Sequence, residues 1–335
     1  MVTLVLGVAF AFGIGAGDET MATMVGSGAM RLKRVVILAG ILATMGALFL
    51  SSGVAQSIGS GLLNLSPAVM TRYQGWVLIS ILISVSTWLV IASKTGLPVS
   101  TTYSIIGAFI GIALCAPLLG TDFLSVIHWE QMQEILLGWI VSPILGLGCS
   151  LAISFAVNHF MRRKIKGLAG MEKYERVLMV ILIFLACFNQ VNRAGNDAGK
   201  VMGIFYSLGL GGQINAFELG MMIIIASSSV GFGLFLVGRH LLRNVGRNLI
   251  VIRPSDAICI ETSMSIVLSI ANMLAIPISG GQVLIFAIIG LALVKHEPVN
   301  KKKLKHIIYS WIITFPVAMI STAAVFSVLL ISFGI

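Results

Sequence analysis

Long apolar stretches separated by short polar connections run the length of this 335-residue chain. Several exceed roughly 18 residues, enough to cross about 30 Å of hydrocarbon as helix. Backbone polar groups in lipid must be satisfied within helices or closed barrels. Runs this long, without strict alternation of apolar and polar positions, are helices. The pattern predicts ten membrane segments: 2–29, 35–54, 75–93, 96–115 and 135–160, then 176–208, 216–238, 254–273, 276–294 and 307–334. The first and sixth are long and interrupted by glycine and charge. The fourth and ninth open with Leu-Pro and Ile-Pro, compatible with a full crossing or a re-entrant hairpin. The expected fold class is all-α, a polytopic membrane protein of about ten transmembrane or re-entrant helical segments.

Composition agrees. Hydrophobic residues make up 58% of the chain and charged residues only 10%, against about 25% charged in a typical soluble domain. Met1 to Ile14 lacks a basic start and reads as the first membrane segment, not a cleaved leader. Cys115, Cys149, Cys187 and Cys259 stand singly in or beside apolar stretches, so they are expected to pack and not to form disulfides or bind metal. The net charge of +10 is informative through its placement. With both termini outside, the inner connections hold Arg31, Lys33, Arg34 and Lys94, the basic residues of 162–176, those of 239–253 and those of 295–305. Only Arg72 falls outside, and Arg193 and Lys200 lie within a crossing. This is the positive-inside pattern of a multi-pass cell-membrane protein, and no nucleic-acid partner is expected.

The chain repeats itself. Gly96-Leu97-Pro98-Val99-Ser100 through Ile106, Ala108 and Gly111 resembles Ala275-Ile276-Pro277-Ile278-Ser279 through Ile285, Ala287 and Gly290, and the same shift carries Asp18 onto Asp197. Five crossings per half is odd, so the second copy is expected upside down. The division predicted is a first inverted repeat at 1–160, a basic cytoplasmic linker at 161–175 and a second repeat at 176–335. Inverted repeats with interrupted helices are a secondary-transporter pattern, with substrate held near the midplane where the repeats meet. No Walker-type loop accompanies them, and Gly209-Leu210-Gly211-Gly212 follows no strand, which removes a dinucleotide reading.

Two constellations carry candidate chemistry. Gly13 to Thr20, containing Asp18 and Glu19, is matched by Arg193 to Lys200, containing Asn196 and Asp197. Glycine frees the backbone to leave the helix, and carboxylates beside such a break offer hard oxygen ligands or a protonatable group. The structural alternative is an ion pair of Asp197 with Arg193 or Lys200. The other constellation is Gly96 to Tyr103. Its proline frees backbone groups, so that Ser100, Thr101 and Thr102 at a helix start could cradle an anion or simply cap the helix. Glu261 is an intramembrane carboxylate, lining the pathway or paired with a neighbour. Asp256 is expected at a solvated interface. Asn64-Leu65-Ser66 fits a glycosylation sequon, but Pro67 follows it.

At these residues the chain resembles the inorganic phosphate transporter (PiT) family, which also includes sulfate permeases. The family's signature is Gly-Ala-Asn-Asp-x-Ala-Asn once per half, with a Gly-Leu-Pro-Val-Ser-Thr-Thr-His hairpin. Phe10 to Asp18 with Val25 to Gly28 resembles the first copy, Gly195-Asn196-Asp197 the core of the second, and Gly96 to Thr102 the hairpin. Gly238 to Pro254 is similar to the family's basic loop. The resemblance implies a symporter of inorganic phosphate, coupled to Na+ or H+ and working by alternating access. It places Asp18, Glu19 and Asp197 at the coupling ion. It gives Ser100, Thr101, Thr102, Asn196 and Ser279 to the oxyanion, with Lys200 or Arg193 neutralising it.

Departures from the family pattern sharpen this expectation. Gly17 and Met21 replace the two Asn of the first motif, and Lys200 replaces the second Asn of the other copy. Tyr103 replaces the hairpin His, and Gly280, Gly281 and Gln282 replace Thr-Thr-His in the second hairpin. The Lys200 ammonium is expected to stand in for one sodium ion. Sulfate or another oxyanion is the first alternative substrate and an anion channel the next. No nucleophile–base pair or metal-ligand cluster suggests an enzyme, no cofactor is expected beyond Na+ as coupling ion, and a homo-oligomer is left open.

Overall fold

The computed structural model describes residues 2–59, 62–64, 67–96, 98–164, 167–207, 216–249 and 251–333. Leu65 and Ser66 of the sequon, Leu97 of the first hairpin and the glycine stretch 209–212 lie outside them. With no water to satisfy the backbone in lipid, the apolar runs coil into helices. In the first half these are α1 (Val2–Ala16), α2 (Ala22–Gly26), α3 (Leu32–Leu50), α4 (Ser52–Gly59), α5 (Pro67–Thr95), α6 (Thr101–Leu114) and α7 (Trp129–Lys164). The second half contains α8 (Gly167–Ser207), α9 (Ala216–Gly233) with a π-helical continuation Leu234–Gly238, α10 (Arg239–Asn248), α11 (Pro254–Met273), α12 (Gly280–Lys295) and α13 (Lys301–Ser332).

Among the described residues, seven helices are long and apolar enough to cross a membrane, and three shorter apolar helices cover Val5–Ala16, Thr101–Leu114 and Gly280–Lys295. The protein is an all-α, multi-pass membrane protein. At 1.5 Å per residue, the 14 residues of α6 and the 16 of α12 reach about 21 and 24 Å. Both fall short of the hydrocarbon thickness by themselves. Each is preceded by an extended prolyl turn, 98–100 before α6 and 276–279 before α12.

Packing partners exchange under the 179-residue shift that relates the two turns. α1 lies on α9 as α8 lies on α3; α6 lies on α13 as α12 lies on α7; α5 lies on α1 and α13 as α11 lies on α8 and α7. Equivalent glycines serve both contacts. A side chain at Gly111 of α6 would strike the Met319 carbonyl of α13, and one at Gly290 of α12 would strike the Leu147 carbonyl of α7. Small residues let membrane helices approach this closely.

Two expectations need correction. The sixth segment is not interrupted: α8 runs unbroken through Gly195-Asn196-Asp197. Its glycines serve helix contact instead, Gly195 meeting Leu50 of α3, and Gly199 and Gly203 meeting Val54 and Ile58 of α4. The equivalent stretch of the first half does break, between Ala16 and Ala22. Asp256 is not solvated. It is 4% exposed, accepts from the Arg253 N–H at 3.0 Å to cap α11, and pairs with Lys295 at 2.8 Å. A carboxylate at that helix start is favoured by the helix dipole.

Candidate functional site

The break after α1 exists because its side chains satisfy it. Asp18 Oδ1 accepts from the Thr20 N–H at 2.9 Å and the Thr20 hydroxyl at 2.6 Å, closing a local turn of the kind that competes with helix. Asp18 Oδ2 accepts from Gln190 Nε2 of α8 at 2.5 Å. The first-half motif is thereby fastened to the middle of α8, one to two helical turns from the second-half motif.

On that helix Arg193, Asp197 and Lys200 share a face, at the i, i+3 and i+4 spacings that bring helical side chains together. Arg193 Nη1 lies 3.0 Å from Glu19 Oε1 and 3.7 Å from Asp18 Oδ1, while its Nε lies 3.3 Å from Asp197 Oδ2. Lys200 Nζ donates to Asp197 Oδ1 at 2.5 Å, to the Ile278 carbonyl at 2.7 Å and to Thr101 Oγ1 at 3.3 Å. All five charged residues are 5% exposed or less, and Lys200 is fully buried. Charges removed from water are tolerated only when paired and hydrogen-bonded. The pairing is incomplete: three carboxylates face two cations. Glu19 Oε2 and Gln190 Oε1 are buried with no hydrogen-bond partner.

Both prolyl turns deliver a helix start to this cluster. The Thr101 hydroxyl of α6 lies 3.3 Å from Asp197 Oδ1, and Thr102 donates to the Ile278 carbonyl at 3.2 Å. The Ile278 carbonyl therefore ties the second turn to both Lys200 and the first turn. At the start of α12, a side chain on Gly280 would collide with Arg193 and one on Gly281 with Glu19. The two glycines that replace Thr-Thr are what allow the salt bridge to lie against the α12 backbone. Helix starts carry partial positive charge and free N–H groups, and two of them converge beside Arg193 and Lys200.

The other sequence-singled residues divide by what they touch. Ser100 caps α6, its Oγ accepting from the Tyr103 N–H at 3.3 Å. Ser279 precedes α12, buried, without a capping bond. Asn196 is occupied with the second turn: its Nδ2 donates to Asn272 Oδ1 at 2.9 Å and the Ile276 carbonyl at 3.0 Å, and its Oδ1 accepts from the Ile278 N–H at 3.3 Å. It positions that turn. Glu261 is fully buried with neutral partners, the Thr23 hydroxyl on Oε1 and Asn189 Nδ2 on Oε2 at 2.6 Å. Sequence reading missed Gln190, Asn189 and Asn272. The polar run Asn189-Gln190-Val191-Asn192 within an apolar helix was the available signal for the first two.

Comparison with known proteins follows the same lines. The sequence profile described as the phosphate transporter family matches residues 14–322. Two relatives carry the name "Putative phosphate permease". That of Pyrococcus furiosus is 27% identical, spanning 100% of this chain and 97% of its own length. That of Haemophilus influenzae is 26% identical, spanning 98% and 96%. A solved structure described as the sodium-dependent phosphate transporter has a TM-score of 0.81 at 24% identity over 98% of each chain, and so shares the fold.

Proposed function

The chain belongs to the phosphate transporter family, and on that premise we propose that it is a symporter carrying inorganic phosphate across the cell membrane, both termini outside, by alternating access of two inverted repeats. The supporting observation is the buried cluster of Asp18, Glu19, Arg193, Asp197 and Lys200, drawn from both halves and met by two helix starts. Arg193 and Lys200 are the groups to neutralise phosphate, with Thr101 and Thr102 hydrogen-bonding its oxygens.

Phosphate and the carboxylates compete for the same two cations. When phosphate takes Arg193, the carboxylates of Asp18 and Glu19 lose their counter-charge in a medium that penalises unpaired ions. A coupling cation, Na+ or H+, restores it. The unpartnered oxygens of Glu19 and Gln190 are hard acceptors suited to either. Obligatory binding of cation with phosphate is the thermodynamic requirement of symport, and here it follows from one charge deficit. Lys200, caged by a carboxylate, a carbonyl and a hydroxyl oxygen, fills a position that would otherwise suit a second monovalent cation.

Labelled phosphate uptake into proteoliposomes, with sodium and pH gradients imposed separately, tests this reading. Concentrative, saturable uptake driven by either gradient and competed poorly by sulfate is expected. Sulfate uptake at equal efficiency would transfer the reading to a general oxyanion permease, and single-channel currents would replace it with a channel.

A further inference from the structure

The two prolyl turns share an unassigned feature: each borders a cleft. Of these two, one encloses about 310 Å3 against Gly96, Pro98 of the first turn, Asn244 of α10, and Lys302, Lys303 and His306 of α13. The other encloses about 130 Å3 against Ala275, Pro277 of the second turn, Ser57 of α4, and Gln131 and Glu134 of α7. Helix α13 stands to the first turn as α7 stands to the second. The clefts lie at opposite ends of the bundle, since α12 leads from the cluster towards the start of α13 and α6 leads towards the start of α7.

Their chemistry differs. The first cleft carries two lysines, and among the described residues none that lines it is acidic; the second carries Glu134. The basic cleft is also fastened to the turn it borders. Asn244 Nδ2 donates to the Gly96 carbonyl at 3.3 Å, and Ser310 of α13 donates to the Pro98 carbonyl at 2.9 Å. Gly96 has φ +71°, a conformation strained for a side chain, and a Cβ there would meet the Asn244 amide, so this seam favours glycine. The same turn leads directly into Thr101 at the start of α6, in contact with Lys200 and Asp197.

We infer that the basic cleft is a second oxyanion site, a staging post that holds inorganic phosphate at the Lys302–Lys303 side chains on the basic face, one turn away from the central cluster. It rests on phosphate as the transported ion. Two ammonium groups in a concave wall concentrate a multiply charged anion. Phosphate bound there touches α10, α13 and the first turn together, the three elements that must part for the turn to move. The acidic counterpart at the other end holds no such ion, so the two faces differ in how they receive and release substrate.

Thr95 is exposed at the cleft wall, and a T95C variant reports occupancy. Its modification by an anionic and a cationic methanethiosulfonate reagent is followed in nanodiscs of neutral phosphatidylcholine, with the unsubstituted protein as background. The anionic reagent is expected to react faster by about tenfold. Phosphate at ten times its dissociation constant is expected to slow modification about tenfold, and K302Q/K303Q is expected to remove both effects while the protein still elutes as a folded species. Absence of phosphate protection while wild-type uptake persists overturns the staging site and leaves the transport reading intact. Absence of uptake as well overturns that reading. Protection appearing only when phosphatidylglycerol replaces the neutral lipid assigns the cleft to a lipid headgroup and likewise overturns the proposal.

Discussion

Replacing Lys200 with methionine keeps an unbranched side chain one atom shorter and deletes its charge. Asp197 loses the donor at 2.5 Å, and the Ile278 carbonyl loses the donor at 2.7 Å. Removing one partner of a buried ion pair costs about 3–5 kcal/mol. The lower end applies, because Arg193 still holds the other oxygen of Asp197 at 3.3 Å. About 3 kcal/mol is roughly a hundredfold in an equilibrium constant. If the Lys200 ammonium serves as a fixed cation, a free cation can replace it at that cost. Phosphate uptake by Lys200→Met in proteoliposomes, at low sodium with choline as the balancing ion, is therefore expected to fall about a hundredfold. It should recover at high sodium, with a steeper sodium dependence than the wild type. Lys200→Arg keeps the charge and should show the shallow dependence. Steep sodium dependence in the wild type, unchanged in Lys200→Met, would refute the reasoning.

Three further outcomes follow from local contacts. Gly281→Ala places a methyl group against the Glu19 carboxylate, and overpacking of this kind costs about 1–3 kcal/mol; uptake should fall while the detergent-solubilised protein keeps its elution profile. Asn272→Ala removes the acceptor of Asn196 at 2.9 Å and the donor to the Asn192 carbonyl at 2.9 Å. The second turn should loosen by about 1–3 kcal/mol, read as a lower Tm and a slower maximal uptake. Asn300→Ala deletes the cap of α13, in which Asn300 Oδ1 accepts from the Lys303 N–H at 3.1 Å. It should cost about 1 kcal/mol, read as a lower Tm.

The membrane class and its ten helical segments were legible in the sequence because hydrophobic run length responds directly to the solvent. The cluster was legible in part. Asp18 and Asp197 announced themselves as charges inside apolar runs, and the paired prolines at 98 and 277 marked the turns. What periodicity does not encode is which of two glycine-rich stretches breaks. Asp18 and Thr20 close a local turn, whereas Gly195 and Gly199 pack against α3 and α4 and the helix continues. Asn196 reads as a substrate ligand from its place in the motif, but its amide is committed to Asn272 and the second turn. Asp256 lies close in sequence to basic, exposed residues, and only the return of α12 brings Lys295 to it. These are long-range contacts, which chain-local patterns do not carry.

That both halves build a single ion site is tested most directly by a double-mutant cycle across them, reading phosphate affinity from uptake by Glu19→Gln, Arg193→Gln and the double variant. The two side chains meet at 3.0 Å, so their effects should be non-additive by about 0.5–3 kcal/mol, with the double variant little worse than Arg193→Gln alone. Effects that add to within about 0.5 kcal/mol would mean that Glu19 and Arg193 act independently, and that the two halves do not share one site.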